Sequence, residues 1–256
     1  MGTEGTWHDT GTAMSELTDR DARPLLRTTD LVKSFGGVMA VDHLSLLVSA
    51  GELRCLIGPN GAGKSTLFAL LSGLHRPDRG HIWFKGEDIT RLPPHRRVRK
   101  GLCQKFQTTR IYRDLTVAQN LLIASRVQFE RENERLRWAL HSLDLASRPE
   151  VKAGELSHSH QQWLEICLTL ATEPDLLLLD EPTAGMTPDE TAQTARFLID
   201  LNKQGLTVMV VEHDMEFVRH IAGRVTVLHN GQIFSEGVLE EIEGNQEVRR
   251  IYLGER

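Results

Sequence analysis

Cysteine is scarce in this chain: Cys55, Cys103 and Cys167 are widely spaced and odd in number. That pattern supports neither a disulfide framework nor a zinc site and suits a reducing compartment. Long apolar runs are missing too, the longest being 176–179 and 208–211. Neither approaches the roughly 18 residues of a transmembrane helix, so any membrane role is expected to come through a partner. There is no basic surplus: 30 Lys and Arg stand against 35 Asp and Glu, net −5, which gives no general attraction to nucleic acid, and none is expected as a partner. The first 24 residues carry Glu4, Asp9, Glu16, Asp19 and Asp21 and no apolar block, which argues against a secretory signal and for a loose tail. Met1-Gly2-Thr3-Glu4-Gly5-Thr6 fits the short myristoylation pattern, for which coincidence is the better account.

What is present is concentrated in Gly58-Pro59-Asn60-Gly61-Ala62-Gly63-Lys64-Ser65, which satisfies the phosphate-binding pattern G-x-x-x-x-G-K-[ST] at every fixed position. Leu53-Arg54-Cys55-Leu56-Ile57 before it reads as a buried strand. After it, Leu67, Leu70, Leu71 and Leu74 fall at i, i+3, i+4 and i+7 of a helix. Glycines in such a loop let backbone N–H groups approach phosphate oxygens without a Cβ in the way, and the helix N-terminus favours negative charge. Lys64 then reaches the β- and γ-phosphates, and Ser65 takes a position on the magnesium ion bridging them, with Thr66 next on the helix. The expected ligands are ATP and magnesium.

Residues 25–84 alternate short β-like runs with turns, including Leu44-Ser45-Leu46-Leu47-Val48 and His81-Ile82-Trp83-Phe84. From about 94 to 160 the text turns helical, with Leu136, Leu140 and Leu143 on one face and charge on the other. Beyond it, a helix around 161–171, the apolar strand 176–179, a helix opened by Thr187-Pro188-Asp189-Glu190 as a capping box, and the apolar strand 207–211 predict a parallel sheet. Runs 225–229 and 232–235 around Asn230-Gly231 predict a hairpin on a primed turn. The basic run His95-Arg96-Arg97-Val98-Arg99-Lys100 reads as a solvated face.

Downstream of the loop, the strand 176–179 ends in Asp180-Glu181, and the carboxyl end of a strand is where a parallel sheet places its ligand. Asp180 can hold magnesium, and Glu181 can polarise an attacking water. These residues, with Gln107 in Lys105-Phe106-Gln107, Leu156-Ser157-His158-Ser159-His160, the turn Ala184-Gly185-Met186-Thr187, and His213 after the strand ending at Val211, resemble the ATP-binding subunits of ABC transporters. The resemblance covers nearly all of residues 25–255. It implies an α/β P-loop fold of ABC ATPase type, with a mixed or parallel core sheet, an antiparallel β subdomain and an inserted helical subdomain at about 94–160 within a domain 25–256. It further implies that Phe35 stacks on adenine, that Gln107 senses magnesium and the γ-phosphate beside the docking cleft, and that Asp180 binds metal. Glu181 and His213 are then catalytic, and Ser157 reaches nucleotide held by the opposite subunit.

Within the superfamily the text looks most like the urea and branched-chain amino acid importers. Gln162-Trp163-Leu164-Glu165-Ile166 and Val211-Glu212-His213-Asp214-Met215-Glu216 are closest to the urea branch, and Ile251-Tyr252-Leu253-Gly254-Glu255 is shared by both. The implied partners are a second ABC ATPase subunit, polytopic permease subunits and a solute-binding protein, on the cytoplasmic face of the membrane. A soluble ABC ATPase without transport, or a poorly hydrolysing subunit paired with an active one, are the alternatives. The family signature reads leucine, serine, glycine, glycine, glutamine; the urea branch tolerates histidine third, matching His158, but Ser159 and His160 replace the second glycine and the glutamine. A side chain at 159 either obstructs approach of the helix to the γ-phosphate or supplies a hydrogen bond of its own. A metal held by His158 and His160 lacks a third ligand in the sequence nearby.

Overall fold

The computed structural model describes residues 24–105, 111–124 and 133–253. Leu26–Phe35 (β1) and Val38–Val48 (β2) form an antiparallel pair, followed by Leu53–Ile57 (β3), the phosphate-loop segment and Lys64–Ser72 (α1). Arg79–Phe84 (β4) and Glu87–Asp88 (β5) complete a four-stranded antiparallel sheet in the order β2-β1-β4-β5. Pro94–Arg99 (α2) leads to Leu102–Lys105 (β6), then come Val117–Ala124 (α3), Glu134–Ser142 (α4) and His158–Leu170 (α5). Leu176–Asp180 (β7), Pro188–Lys203 (α6), Thr207–Val211 (β8), Met215–Ile221 (α7), Arg224–His229 (β9) and Gln232–Gly237 (β10) follow. The second sheet runs β10-β9-β3-β8-β7-β6, with parallel pairing from β9 through β6.

The parallel strands are buried on both faces, which is why they read as continuous apolar runs rather than alternation. Leu56, Leu176, Leu178, Met209 and Val211 point to one side, where α1 and the antiparallel sheet cover them. Cys55, Ile57, Leu177, Leu179, Val208 and Val210 point to the other, against α5, α6 and α7. Each fully buried Leu or Val contributes about 1.5–3 kcal/mol relative to exposure. All three cysteines are buried and unpaired. Among the described residues no helix is long and apolar enough to cross a membrane.

Three readings need revision. Leu102–Lys105 is a strand of the core sheet, paired with β7, so the helical segment interrupts the core later than residue 94. Four residues with a polar Gln104 among them are too short to reveal a period. Leu74 lies beyond the end of α1, which Gly73 terminates at φ 84°, and is exposed. Arg97 is no part of a solvated face: it is 1% exposed, and its guanidinium donates to the carbonyls of Leu70 and Leu71 at 2.7 Å each and of Leu92 and Thr90 at 3.0 Å each. It adds donors at the carbonyl end of α1, where Gly73 N–H also reaches Leu70 O at 3.2 Å. Burial draws its pKa down to about 10. The capping box at Thr187 and the primed turn at Asn230 (φ 49°) and Gly231 (φ 79°) are as the sequence predicts.

Candidate nucleotide site

Strand register assembles the site. Val211 pairs with Leu56 on one side and with Asp180 on the other. The carboxyl ends of β3, β8 and β7 therefore finish side by side, bringing together Gly58, the Glu212-His213 pair and the Asp180-Glu181 pair from three distant stretches of sequence. Ligands of parallel sheets bind at that edge.

The loop from Gly58 through Pro59, Asn60, Gly61 and Ala62 to Gly63 turns tightly enough that Ala62 N–H donates to Pro59 O at 3.2 Å. Its glycines serve different ends. A Cβ on Gly58 (φ 148°) would come within 2.2 Å of Leu228 O, and one on Gly63 (φ 101°) within 2.3 Å of Ala40 O. Both are required so that the loop can pack on its own chain, whereas Gly61 (φ 81°) meets nothing within 4 Å and leaves the loop backbone approachable. Lys64 Nζ donates to Gly58 O at 2.7 Å and Pro59 O at 3.0 Å, arching its ammonium across the loop. Burial lowers the Lys64 pKa, opposed by the charges of Glu181 and then Asp180. Ser65 and Thr66 occupy the first turn of α1, where backbone N–H groups lack helical partners.

Asp180 is 6% exposed and lies beside Ser65. Burial, then the neighbouring Glu181, raises its pKa, while Ser65, Lys64 and Lys105 pull it back. A hydroxyl and a carboxylate side by side are hard oxygen donors of the kind magnesium prefers, so the residues present fit that ion. Glu181 stands just past β7 with φ 46°, a left-handed conformation uncommon for a side-chain-bearing residue, and its N–H donates to Val211 O at 2.9 Å. Such a backbone costs on the order of 1–3 kcal/mol and is held by its surroundings. His213 Nδ1 lies 3.5 Å from Glu181 Oε1, and its ring is largely exposed.

Glu212, to which the sequence motifs assign no role, fixes this corner. It is 1% exposed; Oε1 accepts from Thr183 Oγ1 at 2.6 Å and Oε2 from His213 N at 3.1 Å. A carboxylate ending an apolar strand was the only available signal. Phe35 sits at the end of β1 beside the Gly36-Gly37 turn, exposed rather than in the core, with His75 edge-on at 5.2 Å and Lys33 Nζ 5.2 Å from the ring centre. It can offer a ring surface to a base. Gln107 lies outside the described residues.

Ser157 stands at a helix start and not at a strand end. It is the exposed N-cap of α5, its Oγ accepting from His160 N at 3.3 Å and lying 2.7 Å from His160 Nδ1. Ser159 is 2% exposed and donates to Glu190 Oε1 at 2.6 Å, so its side chain turns into the protein and not outward over the helix end. That hydrogen bond, followed by Thr187 N–H, holds the Glu190 carboxyl below the usual range. The rings of His158 and His160 are engaged by Ala184 O and Ser157 Oγ, not by each other.

The family described as ABC transporter matches residues 41–184. The chain belongs to the ABC transporter family. It is 36% identical over 253 residues to the high-affinity branched-chain amino acid transport ATP-binding protein BraF of Pseudomonas aeruginosa, an alignment spanning 91% of this chain and 99% of that one. It is 34% identical over 254 residues to LivG of Escherichia coli, a protein of the same description, with 91% and 99% covered. The lipopolysaccharide export system ATP-binding protein LptB of Acidithiobacillus ferridurans is 36% identical over 238 residues, with 91% and 98% covered. Among solved structures, a nucleotide-free ATP-binding cassette from an ABC transporter superposes with TM-score 0.81 at 31% identity, covering 91% of this chain and all of that one. The ADP conformation of an ATP-binding cassette gives TM-score 0.81 at 33% identity, with 91% and 100% covered. Fold and family agree with the P-loop ABC ATPase expected from the motifs, and the chain is an ATPase of that family.

Proposed function

We propose that this chain is the ATP-hydrolysing subunit of an importer, energising uptake of an amino acid, branched-chain or other, through polytopic membrane subunits. The solute class rests on the relatives named for branched-chain amino acid transport. Urea is a second candidate, on the sequence resemblance alone. The observation that carries the nucleotide chemistry is the convergence of Lys64, Ser65, Asp180, Glu181 and His213 on one sheet edge.

In this reading Phe35 stacks on adenine, the loop amides and Lys64 hold the phosphates, and Ser65, Asp180 and Gln107 hold magnesium. Bound there, the ion offsets charge on the β- and γ-phosphate oxygens. A water oxygen attacks the γ-phosphorus in line as the bond to the β,γ-bridging oxygen breaks and ADP leaves. Glu181 accepts the water's proton, and His213 orients Glu181 and faces the γ-phosphate. Ser157, the exposed N-cap of α5, contacts the nucleotide of a second ABC ATPase subunit. The complex includes a solute-binding protein and stands at the inner face of the cell membrane. Purification of the tagged chain from its native membrane, followed by identification of bound proteins and an ATPase assay with and without candidate amino acids and urea, tests this. Permease subunits and solute-stimulated hydrolysis are expected; a purely soluble set of partners overturns it.

A further inference from the structure

The turn that departs from the family signature is tied to the catalytic edge of its own subunit. His158 Nε2 lies 3.1 Å from Ala184 O, a contact that requires the ring to donate, since a carbonyl only accepts. Gly185, at φ 75°, lies close beneath the ring: a Cβ there would stand 3.2 Å from Nε2. At the next residue, the buried Ser159 hydroxyl donates to Glu190 Oε1 at 2.6 Å. The other oxygen of that carboxylate accepts from Thr187 N at 2.9 Å and Thr187 Oγ1 at 3.0 Å, closing the capping box of α6. Ser159 Oγ is also 3.0 Å from the exposed Ser157 Oγ.

The segment these ties hold leads directly to the catalytic carboxylate. Ala184 N–H donates to Glu181 O at 3.3 Å and Met186 N–H to Thr183 O at 3.1 Å. Thr183 Oγ1 donates to Glu212, which in turn accepts from His213 N. A displacement of the first turn of α5 therefore acts, through side chains that glycines would not provide, on the backbone carrying Glu181 and on the corner holding His213.

We propose that His158 and Ser159 are positioning residues for hydrolysis: they fasten the first turn of α5 to the 184–190 segment and thereby set Glu181 in the same subunit. This rests on the nucleotide site proposed above. Of the two alternatives the sequence leaves open, it opposes obstruction, because Ser159 occupies the gap toward α6 instead of the space over the helix end. The two ideas predict opposite signs for restoring glycine.

The test uses the full chain in its purified complex, with ATP turnover, KM for ATP and affinity for a fluorescent ATP analogue measured separately. Ser159→Gly and His158→Ala are each expected to lower kcat about tenfold at unchanged KM and analogue affinity, the scale of one charge-assisted or well-oriented hydrogen bond lost from the reacting arrangement. Ser159→Thr and His158→Gln, which keep a donor, should restore most of the rate. A merely structural role would lower thermal stability while leaving kcat per folded molecule unchanged in all four. Unchanged or raised kcat in Ser159→Gly, or equal losses in the donor-keeping and donor-deleting variants, overturns the proposal. Glu181→Gln in the same assay separates the two levels: if it retains wild-type turnover, the catalytic reading fails first.

Discussion

Replacing Glu181 by Gln changes charge at the site with almost no change of shape. The amide oxygen can still face His213 Nδ1, now 3.5 Å from Oε1, and the backbone bond from the residue's N–H to Val211 O is untouched. What is lost is a group able to accept a proton from water. Loss of a general base typically slows a reaction by roughly 10²–10⁴. At about 1.36 kcal/mol per tenfold, that is on the order of 2.7–5.5 kcal/mol of barrier. Affinity should move the other way. Glu181 is the larger of the two carboxylate charges acting on Lys64, and it also raises the pKa of Asp180. Removing it leaves Lys64 freer to attract phosphate and Asp180 easier to ionise. ATP should bind as tightly as to wild type or tighter, and the loaded chain should accumulate as a closed dimer. Single-turnover hydrolysis of γ-labelled ATP beside a fluorescent nucleotide titration gives both numbers. Turnover within about threefold of wild type would show that Glu181 is not the base. Parallel loss of binding would refute the charge argument.

Lys64→Ala removes the ammonium that spans Gly58 O and Pro59 O, and Mg-ATP affinity should fall about 10- to 100-fold; equal affinity by nucleotide titration would sink the loop assignment. Arg97→Met removes the buried donor from the Leu70 and Leu71 carbonyls of α1 and from those of Thr90 and Leu92, so stability should drop by about 3–5 kcal/mol and Tm by roughly 6–15 °C, read by calorimetry, where a change below about 2 °C contradicts the capping role. His160 has its pKa lowered by burial and then by Arg148, against Asp144 and Glu190. The unfolded chain therefore takes up that proton first, and the stability tied to neutral His160 is present above about pH 6.5 and lost as pH falls below it. Tm measured from about pH 7.5 to 5 should fall less steeply in His160→Gln than in wild type, and identical slopes would exclude this contribution.

The phosphate loop and the carboxylate pair were legible in the sequence because each sits at the end of a short apolar strand, and parallel strands buried on both faces announce themselves as apolar runs, whereas His213 was legible only through the family resemblance. The capping box at Thr187 and the turn at Asn230-Gly231 were legible for a similar reason, since their chemistry is local. Only the tertiary structure decided what depends on distant partners. Arg97 looks like any surface arginine until α1 ends above it, and the four residues of β6 become a strand only by pairing with β7. Gly58 and Gly63 are fixed by the backbones of Leu228 and Ala40, far away in sequence, as much as by any phosphate. Ser159 reads from sequence as a side chain in the wrong place. Its direction was set by Glu190, which lies 31 residues later and faces it because α5 and α6 begin side by side. Local pattern encodes which groups are available, and the folded chain decides which of them meet.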